Sequence, residues 1–186
     1  MRSDAMAKRN ALVAAARHLY ADRGPDVPFT AIAAEAGVGI ATLYRHFPTR
    51  SDLIVGIIEQ VHAEILDCTT RCGEEWDSHP AGSWLRFVRA LADLRLGALI
   101  PQLALTALAE TPPEEAVRLR GRALGAVGRV LDLAKTAGFL RREITAVEFS
   151  LGLAIITRPL PAIPFSDVPS DRSWLIDAFV RGVRPD

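Results

Sequence analysis

PFTAIAAEAGVGIATLYRHFPTR, residues 28–50, carries two short helices and the turn between them. Ile32, Ala33 and Ala36 recur at helical spacing and predict one buried face. Gly37 follows, where a residue without a Cβ takes the left-handed conformation that ends a helix. Val38 supplies an apolar plug for the turn, and a second helix is predicted over about 40–46. Two short helices joined by a tight turn containing Gly make a helix-turn-helix, here spanning 28–47. The second helix of such a motif enters the DNA major groove.

If Leu43 and Phe47 point inward, Ile40, Ala41, Thr42, Tyr44, Arg45 and His46 form the outward set of that helix. Arg45 suits a bidentate contact to guanine or, equally, a phosphate contact. Thr42 suits a thymine methyl or a phosphate oxygen, while Ile40 and Ala41 offer apolar contact, so direct base readout is sparse. Arg50 falls in the first turn of the next helix, where a phosphate meets both its guanidinium and the N–H groups of the helix start. Thr30 is either a phosphate ligand or simply solvent-facing.

The residues Ile32-Ala33, Ala36-Gly37-Val38, Thr42-Leu43-Tyr44-Arg45-His46-Phe47, Arg50 and Leu53 resemble the amino-terminal signature of the TetR family of bacterial one-component transcription factors. The detailed resemblance covers about residues 7–66. By that resemblance Tyr44 and His46 occupy phosphate-facing positions, although His46 also suits a hydrogen bond within the turn to the next helix. Two positions depart from the pattern. Gly39 stands where Ser or Thr usually caps the recognition helix, which keeps it among the DNA-binding positions without a hydroxyl to offer. Arg50 stands where Lys is commoner and keeps the charge. The resemblance implies a homodimeric repressor on double-stranded operator DNA, released when a small molecule enters a carboxy-terminal domain. Activation of transcription, or a purely protein-binding helical module, are the alternatives.

Composition agrees with a helical globular chain. Of 186 residues, 49% are hydrophobic, enough for a sizeable core, and the formal net charge is zero. Residues 1–50 hold seven Lys and Arg against four acids, a balance of +3, and the remainder holds 15 against 18, a balance of −3. A basic head is what phosphate attraction requires, although ordinary scatter also yields so modest an excess. Cys68 and Cys72 alone build no disulfide framework, which fits the reducing cytoplasm, and two Cys do not close a zinc site. No apolar run is long enough to span a bilayer, and the amino terminus lacks a signal-peptide core. The four His (18, 46, 62, 79) fall in no metalloenzyme spacing, and no phosphate-binding Gly loop or nucleophile motif occurs. We therefore expect no enzyme, no metal and no cofactor.

Along the chain an all-α architecture is predicted. Leu12, Ala15, Ala16 and Leu19 mark a helix over 5–23, and Phe29, Leu43 and Phe47 plug the small trihelical core. A domain of residues 1–50 then passes into 51–186 through a long helix, 50–72, opened by a capping arrangement of Thr49 and Asp52. A break at 78–83 precedes helices over 81–97, 100–110 and 112–137, the last with Val117, Leu124, Val127, Leu131 and Ala134 on one face. Helix 145–157 is apolar on two sides and must be covered on both. Residues 158–170 hold four prolines, and a last helix follows a cap at Ser170 or Asp171. A partner subunit is the expected cover, placing Phe149, Leu153, Ile156, Trp174, Ala178 and Phe179 at a dimer interface. Trp84, Phe87, Leu91, Leu103 and Val127 are the candidates to line an effector pocket, with plain core packing as the competing role. The shortage of charge there points to an apolar effector.

Overall fold

The structure, a computed structural model, describes residues 2–24, 26–97, 99, 114–158 and 173–185, with backbone only at 2, 3, 115 and 116. Among them are eight helices and no strand: α1 (Arg2–Arg23), α2 (Phe29–Glu35), α3 (Ile40–His46), α4 (Arg50–Glu75), α5 (Pro80–Asp93), α6 (Glu114–Thr136), α7 (Ala146–Ile156) and α8 (Ser173–Gly182). The helix expected over 100–110 and the proline-rich 159–170 lie outside the described residues, as does the cap at Ser170 or Asp171. The chain forms two compact units, one within Met1–Val61 and Ala98–Val117, the other within His62–Gly97 and Arg118–Asp186.

In the first unit α1 packs on α2 and α3 around Leu12, Ala16, Leu19, Ile32, Leu43, Phe47, Leu53 and Ile57. Each such Leu, Ile or Phe contributes about 1.5–3 kcal/mol by leaving water. The turn after α2 is closed twice: Gly37 N–H donates to Ala34 O and Val38 N–H to Ala33 O, at 3.1 and 3.0 Å. This double closure needs the φ of +67° that Gly37 adopts. The start of α4 is locked by a reciprocal pair, Thr49 N–H to Asp52 Oδ2 at 2.9 Å and Asp52 N–H to Thr49 Oγ1 at 3.1 Å.

In the second unit the centre is aromatic. Trp84 lies 5.5 Å from Phe149 and 6.0 Å from Phe87, and Phe149 lies 5.3 Å from Phe179. Arg89 of α5 meets Asp177 of α8 at 3.3 Å. Thr145 and Glu148 form the expected capping box of α7.

Three features of α5 and α6 differ from expectation. Pro80 starts α5 rather than interrupting it, because a fixed φ and a missing N–H suit the first helical position. The same helix stops at Asp93 and turns through Arg95, a non-Gly residue at φ +50°. Val117 is exposed, although Val127, Leu131 and Ala134 on the same predicted stripe of α6 are buried.

Candidate nucleic-acid interface

Leu43 and Phe47 anchor α3 from below and leave the opposite side free. Gly39, Ile40, Ala41, Tyr44 and Arg45 are exposed, while Thr42 and His46 are half-buried at the flanks. Gly39 caps the helix with ordinary extended backbone and no side-chain hydrogen bond. A β-carbon there meets nothing within 4 Å, so the fold itself does not require the glycine.

A cleft of about 390 Å³ lies beside this helix, lined by Pro28, Phe29, Thr30, Tyr44, Pro48, Thr49 and Arg50. It gathers three of the expected phosphate ligands, Thr30, Tyr44 and Arg50, around one ring. Phe29 holds Tyr44 edge-on at 5.5 Å and carries the Arg50 guanidinium 5.6 Å above its centroid. Phe29 is half-buried: it packs against the core, as expected from its apolarity, and its ring is also a platform for Tyr44 and Arg50. The Thr49 and Asp52 N–H groups are already engaged by the cap, so Arg50 carries more of an anion contact than a bare helix start would suggest.

The basic excess of the first fifty residues is partly neutralised inside the unit. Lys8 meets Asp4 at 2.8 Å, and Arg9 meets Glu59 at 2.6 Å while covering the Phe47 ring. Arg45 lies exposed on α3, and Arg50 lines the cleft.

Residues 12–57, which span this surface, match the family model described as bacterial regulatory proteins, tetR family. This segment is a TetR-family amino-terminal domain. An HTH-type transcriptional regulator of Staphylococcus aureus strain bovine RF122 / ET3-1 is 38% identical over 61 residues, 32% of this chain and 33% of that one. The match thus spans about a third of the curated relative's length. The TetR transcriptional regulator SCO0520 from Streptomyces coelicolor is 28% identical, covers 95% of this chain and 98% of its own, and superposes with a TM-score of 0.68. The TetR-like regulator LfrR from Mycobacterium smegmatis, solved with proflavine, shares the fold at 21% identity, a TM-score of 0.67 and coverage of 95% and 94%. Every residue singled out on the α3 surface and its cleft, from Thr30 to Arg50, falls inside the TetR-family match.

The remaining expected sites lie in the second unit, apart from Leu103, which lies outside the described residues. Leu91 and Val127 line one small cavity with Ile65, Leu96, Leu153 and Thr157. Its volume of about 20 Å³ is room for roughly one water. Trp84 and Phe87 are buried in the aromatic stack instead and do not line it.

The two faces of α7 are sorted opposite to expectation. Phe149 and Leu153 are buried by the chain itself, and Ile156 and Phe179 are partly covered. The outward stripe is Val147, Leu151 and Ile155, the last 64% exposed, with Trp174 63% exposed and Ala178 exposed on α8. Periodicity showed two apolar faces; the stacking of Phe149 between Trp84 and Phe179 selects the inner one.

Cys68 and Cys72 are buried, their thiols directed to Ile65 O and Ser83 O at 3.2 and 3.6 Å. Burial pushes both up to about 11. At pH 8 roughly one thiol in a thousand is then thiolate. Alkylation by iodoacetamide at that pH should wait for unfolding; rapid labelling of the folded chain would contradict this burial.

Proposed function

We propose that this chain is a transcriptional regulator that reads operator DNA with α3 as a homodimer, and that it represses until a small molecule binds its second unit. The observation that carries the reading is the one-sided anchoring of α3: Leu43 and Phe47 are buried while Tyr44 and Arg45 stand out beside the Thr30–Arg50 cleft. A rod held this way suits a major groove, and the flanking cleft suits the phosphates that fix its register.

Two such rods must sit about 34–36 Å apart on successive turns of a duplex. The exposed Val147, Leu151, Ile155 and Trp174 support pairing of two copies through α7 and α8. The apolar lining of the small cavity supports a neutral effector. That LfrR, a protein of the same fold, is solved with proflavine supports the small-molecule class. An effector larger than a water must part the cavity walls, among them Ile65 on α4, the helix that begins at Arg50. Such a ligand shifts DNA occupancy only by the difference in its affinity for the two states. In a cell this reading places the chain in the cytoplasm; among the described residues no helix is long and apolar enough to cross a membrane.

The test begins with a duplex enriched from random sequence by the wild-type protein. Arg45→Ala should weaken binding to that duplex by about 1–3 kcal/mol and relax preference at one base pair. A loss that is uniform across sequences would make Arg45 a phosphate ligand instead. Unchanged affinity for both Arg45→Ala and Tyr44→Phe would refute the reading surface.

A further inference from the structure

Packing within the first unit narrows the residues of α3 that are open to a groove. Tyr44 lies edge-on to Phe29 at 5.5 Å and lines the cleft. Thr42 and His46 are half-buried, the His46 ring 6.4 Å from that of Phe47. Gly39, Ile40, Ala41 and Arg45 remain, all exposed. Ile40 is 38% exposed, whereas Ile32 and Leu43, the other large aliphatic side chains of α2 and α3, are 0% exposed. Nothing lies within 4 Å of where a β-carbon on Gly39 would stand. The first turn of α3 therefore presents carbon alone: neither Gly39, Ile40 nor Ala41 has a side-chain donor or acceptor.

We propose that Ile40 selects thymine: its exposed side chain packs on a C5-methyl group in the major groove, and the small Gly39 and Ala41 on either side let the base edge come up to it. The inference rests on the reading of α3 as the helix that enters the groove. Each base pair offers donors and acceptors there, and the thymine methyl is the one apolar group among them. A donor or acceptor pressed under Ile40 loses its water and gains no partner in exchange. Thymine is thus favoured twice, by the carbon contact it makes and by the hydrogen-bonding group it does not strip. A single exposed isoleucine is ordinary on a protein surface. This one is continuous with the reading surface, one helical turn before Tyr44 and its cleft and next to Ala41, which is one turn before Arg45. The exposed carbon is that of one isoleucine and one alanine, too small a patch to seat a protein partner and of the size of a methyl group. Direct readout by this helix is therefore less sparse than its lack of polar side chains suggests.

The experiment uses the full chain and a duplex of about 30 base pairs enriched by the wild-type protein from a random pool, long enough for two half-sites. Each thymine of the half-site is replaced in turn by uracil, in both half-sites at once. Uracil lacks the C5 methyl and keeps the O4 acceptor, so only the apolar feature is removed. Affinity is followed by fluorescence anisotropy at fixed salt. At one position of the half-site, uracil should weaken binding about fourfold for each methyl group withdrawn. Ile40→Ala should weaken binding to the thymine duplex at least as much, with the melting temperature held because the side chain is exposed. If Ile40→Ala lowers the melting temperature, Ile40→Val, one methyl group shorter, takes its place. The deciding measurement combines protein and DNA changes: together they should cost no more than the larger of the two alone. Indifference to uracil at every thymine overturns the proposal, as does unchanged affinity in the Ile40 variant. So do losses that simply add, since the methyl group then acts through the duplex and not through Ile40. If the wild-type protein enriches no duplex, the DNA reading falls and this inference with it; if it enriches one that is indifferent to uracil, only this inference falls.

Discussion

Gly97→Ala should destabilise the second unit by about 3 kcal/mol or more, which is the upper range for a forced extra methyl group. A β-carbon on Gly97 would stand 1.8 Å from the Ala154 carbonyl oxygen and 3.0 Å from Arg158 N. Both neighbours are backbone at the end of α7, so no rotamer change can relieve the clash. The chain reaches this approach through the turn at Arg95, whose φ of +50° is itself unfavourable for a residue with a side chain. For a chain of this length the expected loss lowers the melting temperature by about 6–12 °C, read by circular dichroism. Gly121→Ala is the control: it sits on α6 with nothing within 4 Å, and should be neutral or stabilise by up to about 1 kcal/mol. Equal melting temperatures for Gly97→Ala and wild type would mean that this close approach does not exist in solution.

The second large effect is expected at Phe47. Its ring is 2% exposed and fills the space that Gly56 leaves open, where a β-carbon would come within 2.8 Å of the ring. Arg9 covers the outer face, its Cζ 5.3 Å from the centroid. Removing a buried phenyl costs about 3–5 kcal/mol. A unit built on two seven-residue helices and their neighbours has a small margin of stability against such a loss. Phe47→Ala should therefore abolish binding to the enriched duplex and lower the urea midpoint. An intact α3 surface with full affinity in this variant would show that the helix is held by something other than its end.

These two positions also separate what was legible in the chain from what was not. Phe47 reads as a core plug because it lies four residues after Leu43 on a helical period, a purely local relation. Gly97 carries no such signal. Its neighbour in space, Ala154, is far along the chain, and no spacing rule connects them. The same contrast holds within the candidate interface. Tyr44 and Arg45 follow from their register on α3, whereas the place of the Phe29 ring beside both Tyr44 and Arg50 has no local signal.

By itself the amino-acid order determined the helical class, the helix-turn-helix at 28–47 and the outward register of its second helix. Those depend on capping, turn chemistry and side-chain period, which act over a few residues. Only the tertiary structure decided that Phe149 faces inward while Val147, Leu151 and Ile155 face out. It alone also showed that Phe29, packed against the core, is a platform for Tyr44 and Arg50. Both outcomes depend on which aromatic ring fills a given space between helices, and close packing settles that only when all the helices are in place.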